Sequence, residues 1–136
     1  MPFVLDASVT ACWAFRDEDH PRADHALQRM RDDEAVAPIL WWFELRNILV
    51  VNERRKRLTE ADSSAFLRDL SRLGITLDRL PEESEVLRLA RAHRLSVYDA
   101  AYLELAQRKG VSLATLDEDL IRAAHAEGVP VLGENA

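Results

Sequence analysis

Apolar and polar positions along the chain change between two periods, and the alternation predicts an α/β fold. Short apolar runs at residues 3–5, 35–37, 75–77, 111–114 and 129–132 read as five strands. Segments with helical spacing lie between them. Residues 7–15 mix apolar and small side chains, and a polar break follows from Asp17 to Pro21. Residues 21–32 place Ala23, Ala26, Leu27 and Met30 on one side of a surface helix. Residues 39–55 form the most apolar helix. Thr59 opens the next as an N-cap, with Asp62 three residues on, and the pattern runs to Arg72 before Gly74. Pro81 begins a helix reaching His93. The helix over 98–109 ends at Gly110, and the one over 117–126 ends before Gly128. Strands alternating with helices imply one domain over residues 1–136. Its architecture is an α/β/α sandwich around a mostly parallel, five-stranded sheet. Ligands of such sheets bind beyond the carboxyl ends of the strands.

Composition adds exclusions to this frame. With 48% hydrophobic and 31% charged residues in 136, the chain has an ordinary globular balance. Its longest apolar stretch, residues 35–51, is interrupted by Pro38, Glu44, Arg46 and Asn47, so no membrane span is expected. The amino end carries no basic region of the signal-peptide kind. A single cysteine, Cys12, allows neither an internal disulfide nor a Cys-rich zinc site, which suits a reducing cytoplasm.

A formal charge of −6 is a poor match for nucleic acid until the acids are given a purpose. Two divalent ions held by acidic side chains would bring it to about −2. Basic residues are also unevenly placed. Arg54, Arg55, Lys56 and Arg57 form a run, and Arg88, Arg91 and Arg94 share helical spacing.

Three aspartates stand just past strands or at helix starts. Asp6 follows Phe-Val-Leu, Asp99 opens the helix Ala-Ala-Tyr-Leu-Glu-Leu-Ala, and Asp117 follows Leu-Ala-Thr-Leu. Each equally suits a helix cap, with Ser96–Asp99 and Thr115–Glu118 as capping-box-like pairs. Glu44 is different, because Leu40, Trp41, Ile48 and Val51 share its helix face. A carboxylate turned towards an apolar core must be protonated, ion-paired or metal-bound. Clustered carboxylates favour hard cations such as Mg²⁺.

Four segments then resemble the signature blocks of PIN domains: Val4-Leu5-Asp6-Ala7-Ser8-Val9, Phe43-Glu44-Leu45-Arg46-Asn47, Leu95-Ser96-Val97-Tyr98-Asp99-Ala100-Ala101-Tyr102 and Leu113-Ala114-Thr115-Leu116-Asp117. Their order and spacing are similar to those of the small VapC-type toxins of type II toxin–antitoxin modules. The resemblance implies a Rossmann-like fold and an endoribonuclease dependent on Mg²⁺ or Mn²⁺. It places the catalytic, metal-holding quartet on Asp6, Glu44, Asp99 and Asp117, with Asp119 as a further candidate ligand. Ser8 and Thr115 match small polar positions beside the metal, and Asn47, one turn after Glu44, is a candidate to orient it. Arg54 to Arg57 are candidate contacts for the RNA backbone. The implied partners are RNA, a cognate antitoxin that blocks the acidic pocket, and a second copy in a homodimer. Of the adjacent Trp41 and Trp42, about 100° apart on a helix, one is free to face a partner.

The main alternative is a Mg²⁺-binding regulatory or phosphoryl-receiving α/β domain without nuclease activity. That class wants a Lys-Pro pair after its last strand, whereas Lys56 and Lys109 are the only lysines and neither precedes proline. A haloacid-dehalogenase-type phosphatase wants Asp-x-Asp after the first strand, where Asp6-Ala7-Ser8 stands. His20, His25, His93 and His125 are scattered rather than spaced as ligands.

Overall fold

Three apolar residues at the amino end, Phe3–Leu5, are buried completely and form the central strand β1. Burial on both faces is why the run reads as continuously apolar rather than alternating. In the computed structural model, which describes residues 1–15 and 20–134, β1 is joined by β2 (Ala35–Pro38), β3 (Ile75–Asp78) and β4 (Ser112–Ala114). The order is β3-β2-β1-β4, and every pairing is parallel. The polar break expected from Asp17 falls largely outside the described residues.

Seven helices complete this described part: α1 (Ala7–Cys12), α2 (Pro21–Arg29), α3 (Leu40–Arg54), α4 (Glu60–Leu70), α5 (Glu83–His93), α6 (Val97–Lys109) and α7 (Glu118–Ala126). Right-handed crossovers put α1 to α4 and α5 to α7 on opposite faces. Accordingly α1 packs on α2 and α3, whereas α6 lies across β1, β2 and β4 with α5 and α7 against it. The chain moves outward from β1 to β3 and then returns to β4 on the far side of β1. The topological switch therefore lies between β1 and β4, where a crevice for ligands is expected.

Local chemistry explains most boundaries. Thr59 and Asp62 form the reciprocal capping box that starts α4, each bond 3.0 Å long. Gly110 ends α6 in the left-handed conformation, φ 66°. The first helix is shorter than its pattern and gives way to turns at Trp13. Pro81 precedes α5 rather than starting it.

The sheet has four strands, not five. Val131 makes only an isolated parallel bridge to Leu113, supported by Leu113 N donating to the Pro130 carbonyl and Leu132 N donating to Leu113, each at 2.9 Å. Pro130 has no N–H to extend the ladder, and the chain turns away at Gly133, φ 87°.

Leu103, fully buried on α6, anchors the packed layer under the sheet. Leu103→Ala is expected to cost about 2–5 kcal/mol in urea unfolding, because it opens a cavity that packed neighbours cannot fill. Thr59→Ala, which removes only a cap, should cost about 0.5–2 kcal/mol.

Candidate active site

The switch between β1 and β4 is marked by a carboxylate. Asp6 continues β1 and remains only 6% exposed. Its Oδ2 accepts hydrogen bonds from Thr115 Oγ1 at 2.5 Å and Ser8 Oγ at 2.9 Å. The same hydroxyls also accept: Asp117 N donates to Thr115 Oγ1, and Leu116 N donates to Ser8 Oγ. Asp6 is thus stitched to the segment after β4, and the expectation for Ser8 and Thr115 takes a definite form. They hold Asp6 and shape the approach to Asp117. Asp6 occupies the N-cap position of α1 without making a side-chain cap.

Asp99 stands in the first turn of α6, where Ser96 is the cap and accepts from Asp99 N at 3.0 Å. Asp117 does cap α7, its side chain accepting from Leu120 N at 3.0 Å. The Thr115–Glu118 capping pair does not form, because Thr115 is engaged with Asp6.

Glu44 enters from α3, half-buried beside a stripe of Trp41, Leu45 and Leu49. The register of that helix is held by Trp41 Nε1 donating to Thr10 Oγ1, which in turn donates to the Asp6 carbonyl, each at 3.0 Å. Tyr102, fully buried on α6, donates its hydroxyl to Glu44 Oε1 at 2.5 Å. The partner of Glu44 is therefore Tyr102 and not Asn47, which is exposed and forms no such bond. No Lys, Arg or His among the described residues forms an ion pair with Glu44.

The acids lie within electrostatic reach of one another. Burial pushes the Asp6 carboxyl up, against the pull of the Thr115 and Ser8 hydrogen bonds, and repulsion from Asp117 adds to the rise. Partial burial raises Glu44, with Asp6 and Asp99 repelling it further. Asp99 is raised by burial and then by Asp117, Asp6 and Asp119. Asp119 itself is exposed and pairs with Arg122. So the structure brings Asp6, Glu44, Asp99 and Asp117 together, with Asp119 at the margin.

The run Arg54 to Arg57 is not at this edge. Arg54 lies ten residues beyond Glu44 on one helix, about 15 Å along its axis. Arg57 covers the Phe15 ring at 4.4 Å and donates to Asn52 Oδ1. A cleft of about 630 Å³ lined by Glu82, Glu85, Gln107 and Pro130 lies at the other edge of the sheet, and none of the four acids lines it.

A PIN domain family model matches residues 3–126. The chain belongs to the PIN-domain family. Ribonuclease VapC3 of Pyrobaculum aerophilum is 33% identical over 124 residues, which cover 88% of this chain and 92% of that relative. Among solved structures, PAE2754 of Pyrobaculum aerophilum matches with a TM-score of 0.70 and 24% identity, covering 90% of this chain and 84% of that one. VapC20 of Mycobacterium tuberculosis, described as a toxin that cleaves the sarcin–ricin loop, matches with a TM-score of 0.62 and 14% identity, over 89% of this chain and 94% of that one. These two likenesses carry the fold of a PIN domain.

Among the described residues, no three His, Cys, Asp or Glu side chains stand close enough to enclose an ion. The oxygen set instead fits an ion such as Mg²⁺ or Mn²⁺, which is held through one or two carboxylates and keeps several waters.

Stability in chelator reports this crowding. A carboxyl raised in the folded state binds more protons folded than unfolded, so its contribution to stability falls as pH rises above 3.8, the ordinary Asp value. In EDTA, Asp99→Asn is expected to melt a few degrees above the wild type at pH 8, since 1 kcal/mol is about 2–4 °C near this chain length. The advantage should shrink as pH falls towards 4. A variant melting below the wild type at pH 8 would show that the acids are not in conflict.

Proposed function

We propose that this PIN domain is a Mg²⁺- or Mn²⁺-dependent endoribonuclease, acting as a single domain and as the toxin of a toxin–antitoxin pair. One observation carries the reading: four carboxylates from four elements lie within electrostatic reach of one another at the switch point of a parallel sheet, with no cation among the described residues paired to them at that point. The 33% identical relative bearing the name Ribonuclease VapC3 supplies the substrate class.

Asp6, Glu44, Asp99 and Asp117 would hold the ion, one or two of them directly and the others through its waters, with Asp119 at the margin. When bound, a divalent ion supplies a Lewis acid for the phosphodiester and lowers the pKa of water. The chain's own residues do the rest. Thr115 and Ser8 keep Asp6 from turning, and Tyr102 does the same for Glu44. An acid of the quartet accepts the proton lost by the attacking water. Ser8, the serine beside them, is committed to holding Asp6, donating to its carboxylate and accepting from Leu116 N.

Partners would meet surfaces outside the acidic crevice. Arg54, Arg55 and Lys56 are exposed and would meet RNA some distance from the cut. On α3, Phe43 is 64% exposed and stacks edge-on against Trp42, whose ring also carries Arg46 at 3.9 Å. With Val50 they form a surface suited to an antitoxin helix or a second copy. Trp41 is buried, so Trp42 is the partner-facing member of the pair. No described helix is long and apolar enough to cross a membrane, and the proposed site of action is the cytoplasm.

Cleavage of a pooled RNA with Mg²⁺ or Mn²⁺ tests the reading. Removing a group that merely orients a metal ligand costs about 10–100-fold, so losing a ligand itself in Asp6→Asn or Asp99→Asn should exceed about 100-fold. EDTA should abolish cleavage. Activity surviving EDTA, or equal in all three chains, would refute the mechanism, and cation binding without cleavage would favour the regulatory α/β domain.

A further inference from the structure

Tyr102 has its ring in the core and its hydroxyl among the acids. It lies three residues after Asp99, so α6 presents both towards the same edge. The hydroxyl donates to Glu44 Oε1 at 2.5 Å. A phenol has one proton. That proton is directed at Glu44, and the fully buried ring cannot swing away. Glu44 Oε2 accepts no hydrogen bond from the described residues. One oxygen of Glu44 is tied and the other is left open.

We propose that Tyr102 is a positioning residue that makes Glu44 a single-oxygen ligand and so biases the site towards Mg²⁺ and Mn²⁺ over Ca²⁺. The inference rests on the metal-dependent reading above. Mg²⁺ demands near-octahedral geometry at about 2.0–2.1 Å and takes carboxylates sparingly. Ca²⁺ takes about 6–8 oxygens at 2.3–2.6 Å and readily accepts both oxygens of one carboxylate. A carboxylate with one oxygen tied to a fixed phenol offers the first kind of contact and withholds the second. Without the phenol, Glu44 would be less well placed for the smaller ions and free to turn both oxygens to the larger one.

The test uses the full chain and measures binding, not cleavage. Mn²⁺ affinity is read by electron paramagnetic resonance and Ca²⁺ affinity by calorimetry, for the wild type, Tyr102→Phe and Glu44→Gln. Melting in EDTA tracks the fold. Tyr102→Phe is expected to weaken Mn²⁺ binding about 10–100-fold, the range for outer-shell partners of metal ligands. Ca²⁺ affinity should fall less, so the preference for Mn²⁺ narrows. In a Glu44→Gln background the phenol should no longer matter to Mn²⁺ affinity, as a double-mutant cycle would show. Glu44→Asp, which draws the carboxylate back from the phenol and leaves the core ring in place, should narrow the preference in the same direction. Wild-type uptake of Mn²⁺ with unchanged Mn²⁺ and Ca²⁺ affinities in Tyr102→Phe, whatever its melting point, would overturn this inference alone. A wild type that takes up no Mn²⁺ would overturn the metal-dependent reading and this inference with it.

Discussion

Asp6 is a carboxylate that burial penalises and two hydroxyls retain. An ionised acid taken out of water costs several kcal/mol, and hydrogen bonds to a charged group return about 1.5–3 kcal/mol each. Thr115 and Ser8 make those bonds, and the backbone after β4 closes on them in turn. The contact joins positions 109 residues apart and fixes the width of the crevice between β1 and β4. Everything else at the edge is placed relative to it. Thr10 and Trp41 carry α3 to Asp6, and α6 brings Asp99 and Tyr102 across the sheet.

Two glutamates in this fold meet burial in opposite ways. Glu104, 2% exposed on α6, is answered by Arg108 at 2.7 Å, and Arg108 also reaches Asp78 at 2.7 Å. That is a structural ion pair, closed upon itself. Glu44 receives a neutral phenol and the repulsion of two aspartates. Among the described residues a cation answers Glu104 and none answers Glu44, so negative charge is left uncompensated where an open α/β sheet binds ligands.

The hydrophobic pattern was enough to read the parallel α/β fold, the seven helices and four of the strands. It overran at residues 129–132, because apolar content does not register that Pro130 lacks an N–H. It overran again at α1, where small residues blurred the helix end. Among the acids, Asp117 shows why caps and site residues are hard to separate in sequence. It is both, since a helix N-terminus at a strand end serves either purpose. Tyr102 was missed because a tyrosine in the run Ala-Ala-Tyr-Leu-Glu-Leu-Ala reads as core, which its ring is. The signal available was its spacing of three from Asp99. Glu104 was missed for a related reason, since a lone glutamate in a helix is usually on its surface. The reach of Arg54 to Arg57 could not be judged until the direction of α3 was known.

Glu127, just past the end of α7, accepts hydrogen bonds from Arg88 at 2.8 Å, His93 at 2.6 Å and Gln107 at 2.9 Å, and its carboxyl is held down to about 2. These partners come from α5 and α6, so three helices are pinned together at the edge opposite the acids. Asp99 and Asp117 sit at the free N-terminal ends of two of them. Each helix then behaves as a lever of fixed length whose fulcrum is Glu127. The separation of the two carboxylates is accordingly a property of the whole helical layer, set as much by a knot of side chains at the far edge as by anything within the crevice.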